Sequence, residues 1–132
     1  GRRLTSKGVK QAERMAAWLD AHLPDTCRIL ASPADRAQQT VLALKRRFKT
    51  VPELAPGASV ANVLAAANWP DSREPVLIVG HQPSIGAVAS FLLSGEEAYW
   101  SVRKGAVWWL SNRAKERGAS VVLKVVLGPD FA

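Results

Sequence analysis

An arginine and a histidine stand where a parallel sheet would bring them together. Arg36 lies in the run Ser32-Pro33-Ala34-Asp35-Arg36-Ala37-Gln38-Gln39-Thr40, and His81 in Val79-Gly80-His81-Gln82-Pro83-Ser84. Each run follows a short apolar stretch and opens an amphipathic helical one, so each reads as a strand-to-helix turn. In a parallel α/β sheet such turns line the crevice at the carboxyl ends of the strands, where ligands bind. A guanidinium can grip two phosphate oxygens at once, and an imidazole can donate a hydrogen bond to a third. Two helix N-termini add free N–H groups. The chemistry this set suits is recognition of a phosphate group. Each residue also has a plainer reading: Arg36 as a surface arginine paired with Asp35 or Glu53, His81 as a cap for the helix starting at Gln82-Pro83-Ser84.

The elements that must position these residues are legible in outline. Thr5 or Ser6 can cap a first helix, in which Val9, Ala12, Met15, Ala16 and Leu19 recur at helical spacing until Pro24-Asp25. Arg28-Ile29-Leu30-Ala31 is a short buried strand. Ala37, Val41, Leu44 and Phe48 form the stripe of a second helix, whose tail Lys45-Arg46-Arg47 suits the negative end of its dipole. Val51 to Leu54 reads as an edge strand, and residues 59–69 as a helix stopped by Pro70. Pro75-Val76-Leu77-Ile78-Val79-Gly80 is the clearest strand, apolar throughout as a strand covered on both faces should be. Gly80 is expected to permit the tight path into His81. Ile85, Val88, Ala89 and Leu92 continue as a helix to Ser94-Gly95. Ala106–Leu110 and Ser120–Leu127 are extended runs joined by the polar Ser111–Gly118, an antiparallel hairpin at one end of the sheet.

The two motifs, with Leu4-Thr5-Ser6-Lys7-Gly8-Val9-Lys10-Gln11-Ala12 ahead of them, resemble the histidine phosphatase superfamily, and within it the SixA-type phosphohistidine phosphatases. Weaker echoes occur at Glu53-Leu54-Ala55-Pro56 and Lys104-Gly105-Ala106-Val107. The resemblance implies a phosphoglycerate mutase-like fold. That is a single α/β domain over residues 1–132, a three-layer α/β/α sandwich with a mainly parallel sheet, helices on both faces and a C-terminal antiparallel hairpin. It also implies Arg36 and His81 as catalytic residues, with Arg36, His81 and Gln82 binding the substrate. The family's nucleophile is a histidine in an Arg-His motif on a strand ahead of the Leu-Thr-x-x-Gly helix. Here the only histidines are His22 and His81, neither preceded by arginine. The nucleophile and its central strand, expected beside the strands at Ile29 and Ile78, are therefore expected upstream of Gly1, and the chain alone is expected to be inactive. Arg2 and Arg3 adjoin the first helix and could border the pocket mouth. Glu53, Glu96 and Glu97 are general-acid candidates by type, with surface carboxylate as the default. The implied partner is a phosphorylated protein, such as a phosphotransfer protein, or a small phosphate ester, with no cofactor.

Bulk properties narrow the alternatives. A chain of 132 residues, 48% hydrophobic and 22% charged, fits one globular domain. No apolar stretch approaches the roughly 20 residues that span a bilayer, so no membrane partner is expected. Cys27 is the single cysteine, which excludes an intrachain disulfide and fits a reduced, cytoplasmic setting. Two histidines and one cysteine without ligand spacing give no metal motif, and no glycine pattern for nucleotide phosphates occurs. The net charge of +7 steers anions. Its charges are spread and not interleaved with aromatics, so no nucleic-acid partner is expected. His22 suits a helix C-terminus, and the five tryptophans suit core or half-buried sheet positions, with Trp100 near enough to edge the crevice. Two other functions stay open: a non-catalytic phospholigand-binding module keeping the Arg36/His81 pocket, and a basic nucleic-acid-binding domain.

Overall fold

Thr5 starts the first helix, α1 (Ser6–His22), because its Oγ1 accepts the Gly8 N–H at 3.0 Å, a donor the helix itself cannot satisfy. Ala12, Met15, Ala16 and Leu19 line its buried face, while Val9 sits at the margin, 37% exposed. The helix ends before Leu23, which adopts an extended conformation as a residue preceding proline tends to. The computed structural model describes residues 3–115 and 118–132. After α1 come β1 (Arg28–Ala31), α2 (Asp35–Leu42), β2 (Lys49–Thr50), a 3-10 turn (Pro52–Leu54) and α3 (Val60–Ala66). β3 (Val76–Val79), α4 (Ser84–Ser94), β4 (Val107–Lys115) and β5 (Gly118–Leu127) complete the order, before a last 3-10 turn at Pro129–Phe131.

The alternation of side chains along β1 builds the layers. Ile29 and Ala31 point into one core with Met15, Ala16 and Leu19 of α1 and Val41 of α2. Leu30 points the other way, into a second core with Val51, Leu54 and Val63, against which Ile78 and Val88 pack. Helices thus cover both faces of a parallel sheet in the order β2-β1-β3, the expected α/β/α arrangement. β1 and β3 pair in register from Arg28↔Val76 to Ala31↔Val79.

The expected strand gap beside both Ile29 and Ile78 is corrected. β1 is flanked by β3 along its whole length and by β2 at Leu30 and Ala31, and Ile29 is buried. Among the described residues, β3 pairs only with β1, and its four residues are all half-buried. β4 and β5 form a separate antiparallel sheet instead of adding to the parallel one. They are held by packing: Val107 and Leu127 join the core that Leu77 and Val79 line, and Trp109 meets Trp18 edge-on at 6.2 Å. The strands run into the stretch read as a polar connection, whose residues 116–117 lie outside the described ones. All five tryptophans are half-buried.

Two local expectations also fail, for physical reasons. The edge strand lies at Lys49–Thr50, and Pro52, which has no N–H to give a sheet ladder, starts a 3-10 turn that buries Leu54. α2 stops at Leu42, short of Phe48, and Lys45 then takes φ 54° and turns the chain. The basic tail therefore cannot serve its own helix dipole. Arg46 serves α1 instead: its guanidinium donates to Asp20 Oδ1 at 2.9 Å and to the carbonyls of Asp20, Leu23 and Pro24 at 3.0 to 3.2 Å. The Asp20 carbonyl lies in the last turn of α1, and those of Leu23 and Pro24 follow directly after it. Arg46→Ala is expected to lower stability by about 2 kcal/mol in denaturant unfolding, the scale of hydrogen bonds to a charged group. A loss below about 0.5 kcal/mol would reduce the cluster to surface decoration.

Candidate functional site

Because β1 and β3 are parallel neighbours, the turns that follow them lie side by side. Ser32 N–H donates to Val79 O at 3.0 Å, which sets Ser32 against Gly80 and His81. His81 Nε2 lies 2.7 Å from Ser32 Oγ, and Ser32 is fully buried. Arg36, the second residue of α2, is half-buried and close enough for its charge to act on the imidazole. Burial, and then the Arg36 charge, hold the His81 pKa below the usual histidine range. The structure thus brings the two sequence-predicted residues to one place, with the N-termini of α2 and α4 beside them.

The rest of the first motif is taken up in holding this arrangement. Ser32 Oγ accepts the Ala34 N–H at 3.2 Å, and Ser32 O accepts from Gln38 Nε2 at 2.8 Å. Gln38 reaches on to Thr50 Oγ1 at 3.1 Å, tying α2 to the end of β2. Gln39 Oε1 accepts the Leu4 N–H at 2.7 Å, and Thr40 Oγ1 donates to Arg36 O at 2.9 Å. Against these bonded neighbours, no hydrogen bond or salt bridge holds the Arg36 guanidinium among the described residues. The pairing with Asp35 or Glu53 weighed above does not form as a hydrogen bond or salt bridge. A half-buried cation without a partner among the described residues is suited to an external anion.

The Gln82 side chain is engaged within the protein. Its Oε1 accepts the Gly86 N–H at 2.7 Å, capping α4, while its Nε2 donates to Trp100 O at 2.9 Å. The capping considered for His81 falls to its neighbour, and Gln82 positions the turn that carries His81. Gly86 makes that bond possible, since a Cβ there would lie 1.8 Å from Trp100 O. Gly80, by contrast, has no left-handed φ, and the nearest atom to an added Cβ would be the flexible end of Ile85 at 3.2 Å. The tight path expected at Gly80 is not what selects glycine there. Trp100 enters the site through its carbonyl, with its ring against Trp108.

The remaining candidates stand apart. His22 Nδ1 lies 2.7 Å from Trp18 O and its ring stacks on Trp18, at the C-terminal end of α1. Glu53, Glu96 and Glu97 are exposed. Arg3 is exposed, and Arg2 lies outside the described residues. A cleft of about 500 Å³, lined by Cys27, Arg28, Arg47 and Lys49 among others, opens at the other end of β1 and shares no residue with the His81 cluster. Burial pushes the Cys27 thiol up, so it is protonated near neutral pH. Among the described residues, no helix is long and apolar enough to cross a membrane.

Sequence reasoning missed Ser32, Gln38 and Gln39 as organisers of the site. A serine two residues before an uncapped helix start was the available signal. Comparison with known proteins agrees with the geometry. The family model for the histidine phosphatase superfamily (branch 1) matches residues 2–59, which contain α1, β1 and α2. The phosphohistidine phosphatase SixA of Escherichia coli (strain K12) is 33% identical over 103 residues, covering 72% of this chain and 64% of that protein. An uncharacterized protein of Mycobacterium tuberculosis (strain ATCC 25618 / H37Rv) is 32% identical over 104 residues, covering 74% and 64%. The chain spans less than two thirds of the length of these curated relatives. The solved structure of the protein histidine phosphatase SixA complexed with tungstate superposes with a TM-score of 0.75 at 26% identity, over 98% of this chain and 85% of that one. Motifs, fold and relatives point one way: residues 2–59 match the histidine phosphatase superfamily, and the fold is similar to that of the solved SixA structure.

Proposed function

We propose that this chain carries the phosphoryl-binding half of a phosphatase active site, acting on phosphohistidine in a cytoplasmic protein such as a phosphotransfer protein. The observation that carries the reading is the Arg36 guanidinium, free of hydrogen bonds and salt bridges to described residues, beside His81 where two helices begin. A tetrahedral oxyanion fits such a place, because guanidinium, imidazole and helix N–H groups can each meet a different oxygen. The relatives named SixA support the substrate class, and tungstate in one of their structures is an oxyanion of the same shape.

In this reading the nucleophile is a histidine that the present sequence does not contain, on a strand preceding Gly1 and running along the open edge of β3. His22 cannot serve, since α1 carries it to the opposite end of β1 from Ser32. A neutral imidazole nitrogen attacks phosphorus and forms an N–P bond as the substrate's N–P bond breaks. The departing imidazole takes its proton from solvent. Water then attacks the phosphohistidine, the second N–P bond breaks, and inorganic phosphate leaves with the enzyme's histidine restored. Arg36 and His81 hold the equatorial oxygens through both steps.

The natural full-length protein is expected to hydrolyse a phosphohistidine peptide and, during turnover, to carry an acid-labile phosphoryl group on a histidine of its amino-terminal segment. Mass spectrometry of the trapped protein locates that group. Binding of the phosphopeptide without turnover would replace this reading by the non-catalytic module. Failure to turn over both the peptide and an aryl phosphate would end the phosphatase reading.

A further inference from the structure

We propose that Ser32 is a positioning residue that fixes His81 as the neutral tautomer protonated at Nδ1, so that His81 meets a phosphoryl oxygen as a donor through Nδ1. The inference rests on the reading above that an oxyanion binds beside Arg36. Its physical basis is a count of protons around one buried hydroxyl.

Ser32 is wholly inaccessible to solvent, and its Oγ has two neighbours in hydrogen-bond reach. One is the Ala34 N–H at 3.2 Å, which can only donate. The hydroxyl proton therefore needs an acceptor, and among the described residues the one within reach is His81 Nε2 at 2.7 Å. Nε2 must then present a lone pair, which places the ring proton on Nδ1. The opposite tautomer would direct the Nε2 proton at Ser32 and strand the hydroxyl proton in a buried site, an arrangement folded proteins avoid. An imidazolium would strand it in the same way. Nδ1 itself has no protein partner among the described residues, so it is the nitrogen left for a ligand.

The surroundings act in the same direction. Burial disfavours the charged ring, and Arg36 on α2 disfavours it further. α4, which continues from the His81 turn, has no titratable side chain between Ser84 and Ser94, and the turn after β1 places the neutral Ser32 against the ring. Charge stabilisation of the phosphoryl group thus falls to Arg36, and His81 supplies direction.

The test is nitrogen NMR of the imidazole rings, made simple by there being two histidines. The present chain, labelled with ¹⁵N-histidine, is expected to show His81 with a protonated Nδ1 and a bare Nε2 at pH 7.5, a value about one unit above the ordinary histidine midpoint. The Ser32→Ala variant is expected to lose that preference and raise the His81 midpoint, since a hydrogen bond to the neutral ring is gone; Ser32→Thr, which keeps the hydroxyl, should restore both. The His22 spectrum serves as the control for global change. A protonated Nε2 in the unsubstituted chain, which needs no variant to fold, overturns the proposal. So does a Ser32→Ala spectrum identical to the parent. Added inorganic phosphate should shift the Nδ1 resonance; a correct tautomer blind to phosphate overturns the donor role whether or not the full-length enzyme turns over.

Discussion

Replacing Gly86 by alanine is expected to destabilise the fold by about 3 kcal/mol, at the upper end of the usual cost of overpacking. The reason is local and steric. A Cβ at residue 86 would lie 1.8 Å from Trp100 O and 2.8 Å from its carbonyl carbon. No rotamer change relieves a clash with backbone, so either α4 or the segment carrying Trp100 must move. Either movement strains the Gln82 Nε2 bond to Trp100 O and the Gly86 N–H bond to Gln82 Oε1. Since Gln82 adjoins His81, oxyanion binding should weaken along with stability. Thermal unfolding followed by circular dichroism should show a midpoint lowered by roughly 10 °C for a domain of this size. Gly128→Ala is the matched control, because an added Cβ there meets nothing nearer than 3.9 Å and the backbone is extended. Its effect should stay within about 0.5 kcal/mol. A Gly86→Ala protein as stable as the Gly128→Ala one would mean that the close approach of Trp100 is not a feature of the fold.

Gly86 also shows where reading residues in order reaches its limit. The strand-to-helix turns were legible because apolar runs, a following helical period and the residues Ser32-Pro33 and Gln82-Pro83 are local signals. Both cores follow from the alternation in Ile29-Leu30-Ala31 and the stripe of α1, which are local as well. Arg36 and His81 could be named for the same reason: parallel pairing of two recognisable strands leaves their turns little choice but to meet. What was not legible depends on partners far along the chain. Arg46 looks like the tail of its own helix until the fold puts it beneath α1, 26 residues away from Asp20. Gln82 looks like a ligand group until Trp100 O is found 2.9 Å from its amide. Ser32 looks like a turn residue, and its bond to His81 spans 49 positions. The hairpin was read correctly as a unit, but its separation from the parallel sheet is a fact of pairing that composition does not encode.

The same asymmetry makes Arg36→Ala the variant with the largest expected effect on ligand and the smallest on fold. No hydrogen bond or salt bridge ties its guanidinium to the described protein, and Thr40 bonds only its backbone carbonyl. Removing the side chain should therefore leave the unfolding midpoint nearly unchanged, within the range of ordinary surface substitutions. An oxyanion, in contrast, loses a planar donor fork that matches two of its oxygens. On the scale of hydrogen bonds to a charged group, tungstate binding by the full-length protein should weaken about 100-fold. The charge that develops in transfer leans on the same group, so kcat/KM for a phosphohistidine peptide should fall by roughly a further order of magnitude. Arg36→Lys keeps the charge but not the fork, and should recover only a small part of the loss. Calorimetric titration with tungstate, beside unfolding curves of the same samples, separates the possibilities. Intact binding in Arg36→Ala would show that the cation serves the surface and not the ligand. Equal losses of binding and stability would show that it holds the fold, contrary to its lack of hydrogen-bond and salt-bridge partners among the described residues. Loss of binding alone, from an arginine that the rest of its motif leaves unengaged, is the outcome this geometry requires.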